Sequence, residues 1–147
     1  MTRQSRVRRV VATGTFDILH PGHIYYLEES RKLGDELHVI VARDANVRHK
    51  PKPVLGEAQR LKVVQALRVV DFARLGDATD MFLPIEEIDP AVITLGFNQH
   101  FSEEQLREAL KERGLGASVV RIGEYSGDPC ASTRRIIDRI LKTRSKH

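Results

Sequence analysis

A chain of 147 residues, 41% hydrophobic and 30% charged, has the size and composition of one globular domain with a single core, which sets aside fibrous and disordered classes. No apolar run approaches the ~18 residues of a membrane helix, no apolar signal core follows the basic start at Met1 to Val10, and a single cysteine, Cys130, forbids an internal disulfide and suits a reducing, cytoplasmic setting. The net charge of +4 favours anionic partners, whether nucleotides, phosphorylated metabolites, nucleic acid or acidic membrane, without choosing among them.

Much of the basic excess lies near the ends, in Arg3, Arg6, Arg8 and Arg9 and in Lys142, Arg144 and Lys146, where solvated termini are expected, loosely ordered over 1–6 and 143–147. Val7 to Thr13 is rich in β-branched residues, ends at Gly14 and reads as a first strand. Helical spacing follows from Pro21 to Leu33, with Ile24, Tyr25, Leu27 and Leu33 on one face, Pro21 in the first turn and Gly34 as the stop. Leu37 to Ala42 is almost continuously apolar, as a strand buried on both faces is. Lys50-Pro51-Lys52-Pro53 forms a loop, because two prolines in four residues defeat helix and sheet alike.

Gly56 to Leu67 returns to helical spacing, and a short strand is expected around Val69 to Leu75. Asp80 to Ile88 predicts a helix shortened or kinked by Pro84 and closed at Asp89-Pro90. Val92 to Leu95 is a strand stopped by Gly96, and Ser102 with Gln105 forms a capping box for a helix running to Gly114. Val119 to Ile122 makes a fifth strand. A polar loop from Gly123 to Ala131 leads to a last helix capped by Ser132 or Thr133, with Ile136, Ile137, Ile140 and Leu141 on its inner face. Strands alternating with helices at this spacing imply right-handed βαβ units. The expected architecture is a Rossmann-like, doubly wound α/β sandwich on a five-stranded parallel sheet, one domain over residues 1–147. Its ligand site should lie at the carboxyl ends of the strands, where the strand order reverses.

The chemistry concentrates in Gly14-Thr15-Phe16-Asp17-Ile18-Leu19-His20-Pro21-Gly22-His23, between the first strand and the first helix. Gly14 is expected to turn the chain off the strand, and Gly22 to let a phosphate approach the backbone. A helix N-terminus offers free N–H groups and a partial positive charge, which suit an anion. His20 and His23, three apart, lie on one side of that first turn, where both rings can donate hydrogen bonds to phosphate oxygens. The stretch is neither a Walker loop nor a dinucleotide fingerprint.

This stretch resembles the His-x-Gly-His signature of the cytidylyltransferase-like nucleotidyltransferases, and Ser132-Thr133-x-x-Ile136 is similar to their second signature, at a helix start near the C-terminus. Within that superfamily the segments Leu33 to Asp44, Ile93 to Gln99 and Tyr125 to Thr133 most resemble the archaeal FAD synthases, which transfer AMP from ATP to FMN. The glycerol-3-phosphate cytidylyltransferases, which act on CTP, share the first motif. They carry a compact Arg-Thr-x-Gly-Ile-Ser-Thr-Thr stretch that this chain lacks. A pantetheine-phosphate acceptor is a lesser alternative on superfamily grounds. A basic nucleic-acid-binding module is the alternative from another class, with few aromatics and no binding motif to support it.

The resemblance implies in-line attack of the acceptor's phosphate oxygen on the α-phosphorus of the nucleotide, with pyrophosphate leaving. A phosphomonoester, with a second pKa of about 6, is largely dianionic at neutral pH and needs no strong base. It assigns His20 and His23 to the triphosphate and transition state, and Thr15, Phe16, Pro21 and Gly22 to the nucleotide through the first loop. Asn98, just past the fourth strand, is a nucleotide contact by its placement and the same resemblance. Tyr125 either stacks on a base or an isoalloxazine ring or merely packs the loop, and Ser132 and Thr133 bind the β and γ phosphates. Asp17 either caps the first helix region or orients a histidine or a metal-bound water. Lys50 and Lys52 sit in a loop able to close over phosphates, and Arg60 is either structural or an acceptor contact. A divalent cation such as Mg2+ is expected on the triphosphate, with no dedicated protein metal site. The expected partners are ATP and FMN, with no nucleic acid, no membrane and room for a homodimer.

Overall fold

The computed structural model describes residues 6–48 and 51–145. Five strands, β1 (Arg9–Gly14), β2 (Glu36–Val41), β3 (Phe72–Leu75), β4 (Val92–Leu95) and β5 (Ser118–Arg121), form one sheet in the order β3-β2-β1-β4-β5. Every pairing is parallel. The helices are α1 (Pro21–Arg31), α2 (Glu57–Gln65), α3 (Leu83–Ile88), α4 (Glu103–Glu112) and α5 (Thr133–Arg144), with a 3-10 turn at Asp44–Asn46.

Side chains alternate across a strand, so each strand feeds two cores. Val10 and Ala12 of β1 join Leu37, Val39 and Val41 of β2 with Leu27 and Val64 from α1 and α2. Val11 turns the other way, toward Ile40, Ile93, Leu95 and Val119, under Ile85, Ile88, Leu106 and Leu110 from α3 and α4. Both faces of the central strands are thereby dry, which accounts for their unbroken apolar sequences.

Four elements depart from the sequence expectation. β3 begins only at Phe72, because Leu67 to Val70 closes a turn in which the Val70 amide donates to the Leu67 carbonyl. α3 starts at Leu83 instead of Asp80, with Pro84 in its first turn, so the helix is shortened and not kinked, and left-handed Asp89 closes it as expected. On α1 the buried positions are Leu27 and Ser30, and Tyr26 packs against the core where Tyr25 was expected. The largest departure is α5, which fully buries no residue: Ile136 and Ile137 are half-buried, and Ile140 is 49% and Leu141 59% exposed. The sheet's two faces are already filled by α1 to α4, so the apolar stripe of the last helix finds no core to enter.

The sheet also shows why a crevice opens at its centre. The chain runs outward from β1 through β2 to β3 on one side, then crosses to β4 and β5 on the other. β1 pairs with β2 over six positions but with β4 over three, the last being Ala12 with Thr94. There the Tyr26 hydroxyl inserts, 2.9 Å from the Thr94 carbonyl and 3.2 Å from both the amide and the carbonyl of Thr13. It takes over backbone groups that a longer ladder would have satisfied. Burial pushes its pKa up to about 12, so it stays neutral. Ser30 and Thr94 complete the network through a 2.8 Å hydroxyl pair.

Candidate active site

The loop leaving β1 turns at Phe16, which has left-handed backbone (φ 54°), whereas Gly14 does not. The expected role of Gly14 is therefore corrected. A Cβ there would meet the Phe16 ring at 2.9 Å, so the glycine makes room for that ring. Phe16 is 3% exposed, with its ring centroid 5.4 Å from that of His23 and stacked 6.5 Å from Tyr26. A non-glycine residue in this conformation costs about 1–3 kcal/mol, which the packing of the ring offsets. With its side chain in the core, Phe16 offers a ligand only its main chain.

α1 then opens with a reciprocal cap made by the two histidines. His20 is the N-cap residue, and its Nδ1 accepts from the Gly22 amide at 3.0 Å; Nδ1 of His23 accepts from the His20 amide at 3.3 Å. Each ring, while neutral, must then carry its hydrogen on Nε2. The ring centroids are 3.9 Å apart, and partial burial lowers the His20 pKa, which favours the neutral ring. His20 therefore fills the capping place proposed for Asp17. A Cβ on Gly22 would strike the His20 ring at 2.8 Å and the Ala131 carbonyl at 3.0 Å. What that glycine spares is protein packing, not only space for phosphate. By contrast the box expected at Ser102 forms in its Ser102 half, Oγ accepting from the Gln105 amide at 3.2 Å, with no reciprocal bond among those described.

Residues distant in sequence wall this turn. Asp17 accepts from the amides of Val54 and Leu55 at 2.7 and 2.9 Å, fastening the α2 lead-in to the β1 loop. Arg60 is 1% exposed; its guanidinium donates to the carbonyls of Thr15 (2.7 Å), Ala42 (2.9 Å) and Leu55 (2.9 Å) and pairs with Asp44 at 2.5 Å. Four of its five N–H donors are thus spent on the protein, which favours the structural one of the two expected roles for this residue. Lys52 donates to the Asp44 carbonyl at 2.9 Å, and Lys50 lies outside the described residues.

From the other end of the chain, Ser132 caps α5 by accepting from the Arg135 amide at 3.1 Å, and Thr133 donates to the Ile18 carbonyl at 3.1 Å. The two motifs, some 110 residues apart, thereby meet at the N-termini of α1 and α5. Tyr125 is half-buried, 5.4 Å from the Tyr25 ring, and its hydroxyl donates to Asp128 at 2.7 Å. Asn98 is exposed on the loop after β4.

That loop has two fastenings that sequence reasoning missed. Gln99 accepts from the Gly96 amide at 2.5 Å and donates to the Thr13 hydroxyl at 3.2 Å, bridging the carboxyl ends of β4 and β1. Arg121 donates to the carbonyls of Gly96 (2.8 Å), Gln99 (3.2 Å) and Phe101, and pairs with Glu103, whose carboxyl it holds down at about 2. Tyr26 was also missed, although its position three residues beyond His23 puts it on the histidine side of α1. Nothing local marks Gln99 or Arg121. Among the described residues no group of three or more His, Cys, Asp or Glu could hold a metal ion, and no helix is long and apolar enough to cross a membrane.

Known proteins bear on this geometry. The cytidylyltransferase-like family profile matches residues 11–139. A protein named FAD synthase from Methanolacinia petrolearia is 66% identical over 140 residues, 95% of either chain. Another of that name, from Methanoculleus marisnigri, is 70% identical over 136 residues, covering 92% of this chain and 91% of its own. Among solved structures, one described as the lipopolysaccharide core biosynthesis protein from Thermoplasma volcanium superposes with a TM-score of 0.80 at 47% identity, over 82% of this chain and all of that one.

Proposed function

We propose that this chain, which belongs to the cytidylyltransferase-like family, is an FAD synthase: it transfers AMP from ATP to the phosphate of FMN, giving FAD and pyrophosphate. The observation that carries the site assignment is the meeting of the two helix N-termini, one bearing the His20–His23 cap and the other Ser132 and Thr133. Two positive helix ends meet beside the two histidine rings, which suits a triphosphate.

In the reaction an FMN phosphate oxygen forms a bond to the α-phosphorus of ATP, and the bond from that phosphorus to the bridging oxygen breaks in line. The electron pair leaves on pyrophosphate. The protein's task is to hold two repelling anions in line and to stabilise charge on the leaving group. His20 and His23 donate from Nε2 to phosphate oxygens as that charge develops. Thr15 and Phe16 present main-chain groups to the nucleotide, Pro21 and Gly22 shape the first turn, and Ser132 and Thr133 open the helix that takes the β and γ phosphates. Asn98 and Tyr125 flank the nucleotide from the loops after β4 and β5. Lys52 supplies charge from the segment before Val54 and Leu55, which Asp17 ties down, and the sequence assigns Lys50 the same role. Arg60 acts at one remove, by fixing the Thr15 carbonyl.

A divalent cation fits this donor set when carried on the phosphates, with water and phosphate oxygens as most of its ligands. When bound it supplies charge neutralisation at the triphosphate. The free thiol of Cys130 accords with a cytoplasmic setting.

The test is purified protein with Mg2+ and ATP or CTP, offered FMN or glycerol 3-phosphate, and scored for pyrophosphate and product. FAD from ATP and FMN alone is expected. CDP-glycerol in place of FAD would overturn the substrate assignment and leave the fold and chemistry standing.

A further inference from the structure

The loop from Gly96 to Phe101 leaves β4 at the carboxyl edge of the sheet, beside the β1 loop that bears the histidines. It is held by Gln99 to Thr13 on one side and by Arg121 to three of its carbonyls on the other. A loop fastened this well would ordinarily turn its aromatic side chains inward, since burying a phenylalanine stabilises by roughly 1.5–3 kcal/mol. Yet Phe97 is 48% exposed.

Phe101, 39% exposed, lies at the far end of the same loop, next to the Ser102 cap of α4, whereas Phe97 directly follows Gly96 at the end of β4; the remaining aromatics are committed or lie elsewhere. Phe16 and Tyr26 are packed into the core, and Phe82 lies under the Arg113 guanidinium at 4.9 Å. Phe72 stacks on His38, 4.7 Å away, at the amino end of β3, the edge opposite the site. Tyr125 already engages Tyr25 and Asp128.

We infer that Phe97 is the platform on which the flat tricyclic ring of the flavin acceptor stacks, an inference that rests on the FAD synthase reading above. The ring is the larger apolar surface of the two substrates, and Phe97 offers a face without hydrogen-bond donors or acceptors, suited to stacking and unsuited to reading adenine's polar edge. Neighbouring strands lie about 5 Å apart. The loop after β4 is one strand away from the β1 loop, a separation the ribityl chain of FMN spans while its phosphate reaches the α1 N-terminus.

The experiment compares wild type with Phe97→Ala and Phe97→Trp, using Phe72→Ala as an exposed-aromatic control. Steady-state KM is measured for FMN and for ATP, together with quenching of FMN fluorescence on titration with protein. Phe97→Ala should raise the KM for FMN by on the order of tenfold, as loss of one stacking contact does, and weaken the quenching, with the KM for ATP unchanged. Phe97→Trp should restore both, and Phe72→Ala should change neither. An unchanged KM for FMN in Phe97→Ala, or a raised KM for ATP instead, would overturn the platform while wild-type FAD production keeps the function standing. Failure of the wild type itself to make FAD would overturn the function first, and the two failures are distinct.

Discussion

α1 and α5 are opened by the two signature motifs and meet at their first turns, yet their bodies are treated in opposite ways. α1 lies on the sheet with Leu27 and Ser30 buried, while α5 fully buries no residue along its twelve. At both N-termini the residues proposed for the site are held by hydrogen bonds between side chain and backbone: the His20–His23 cap on α1, and Ser132 to Arg135 with Thr133 to Ile18 on α5. Burial therefore supplies stability, and capping supplies the geometry of the site.

The sharpest way to separate the two is to cut a functional donor from the packed helix. His23→Ala should lower kcat by about 10²–10³, the usual cost of losing one transition-state donor. Near-normal turnover would remove His23 from the chemistry. The same loss should be reachable by acidification. Protonation of His20 would turn its Nδ1 from the acceptor of the Gly22 amide into a donor facing it. Because burial lowers the folded pKa, kcat should fall only below histidine's ordinary range. The sign for stability is the same: His20's contribution is fully present above the unfolded-state value and is lost as the pH falls through the lower folded one. A kcat already falling above neutrality would contradict the neutral ring.

Packing gives the next contrast. Leu27→Ala, at a fully buried position of α1, should destabilise by about 2–5 kcal/mol. Ser132→Ala, which removes the α5 cap, should cost about 1 kcal/mol and also raise the KM for ATP. Leu141→Ala on the exposed stripe should stay within about 0.5 kcal/mol in chemical denaturation of dilute protein. A loss at Leu141 that grows with protein concentration would show that a second copy covers α5.

The first turn of the candidate site was legible because its parts are local. A histidine before Pro21-Gly22 and another three residues on belong to one helical turn, whatever surrounds them. The alternation of apolar strands with capped helices likewise set the parallel, doubly wound sheet, since each segment's period is fixed by its own backbone. What a residue's side chain meets across the fold was not local. The Phe16 ring lies in the core and leaves only main chain for a ligand, and of the two readings of Arg60 the fold favours the framework one. Gln99 and Arg121 carried no signal and fasten a loop at the site's edge.

The sequence by itself thus determined the element order, the phosphate-suited turn and the nucleotidyl-transfer motif. Tertiary structure alone decided that the β1–β4 ladder ends at Ala12 and Thr94 under the Tyr26 hydroxyl, that Arg60 is buried, and that α5 is left uncovered. Those outcomes depend on which strands become neighbours and on how much sheet face remains when the last helix arrives, and both are set by the whole chain at once.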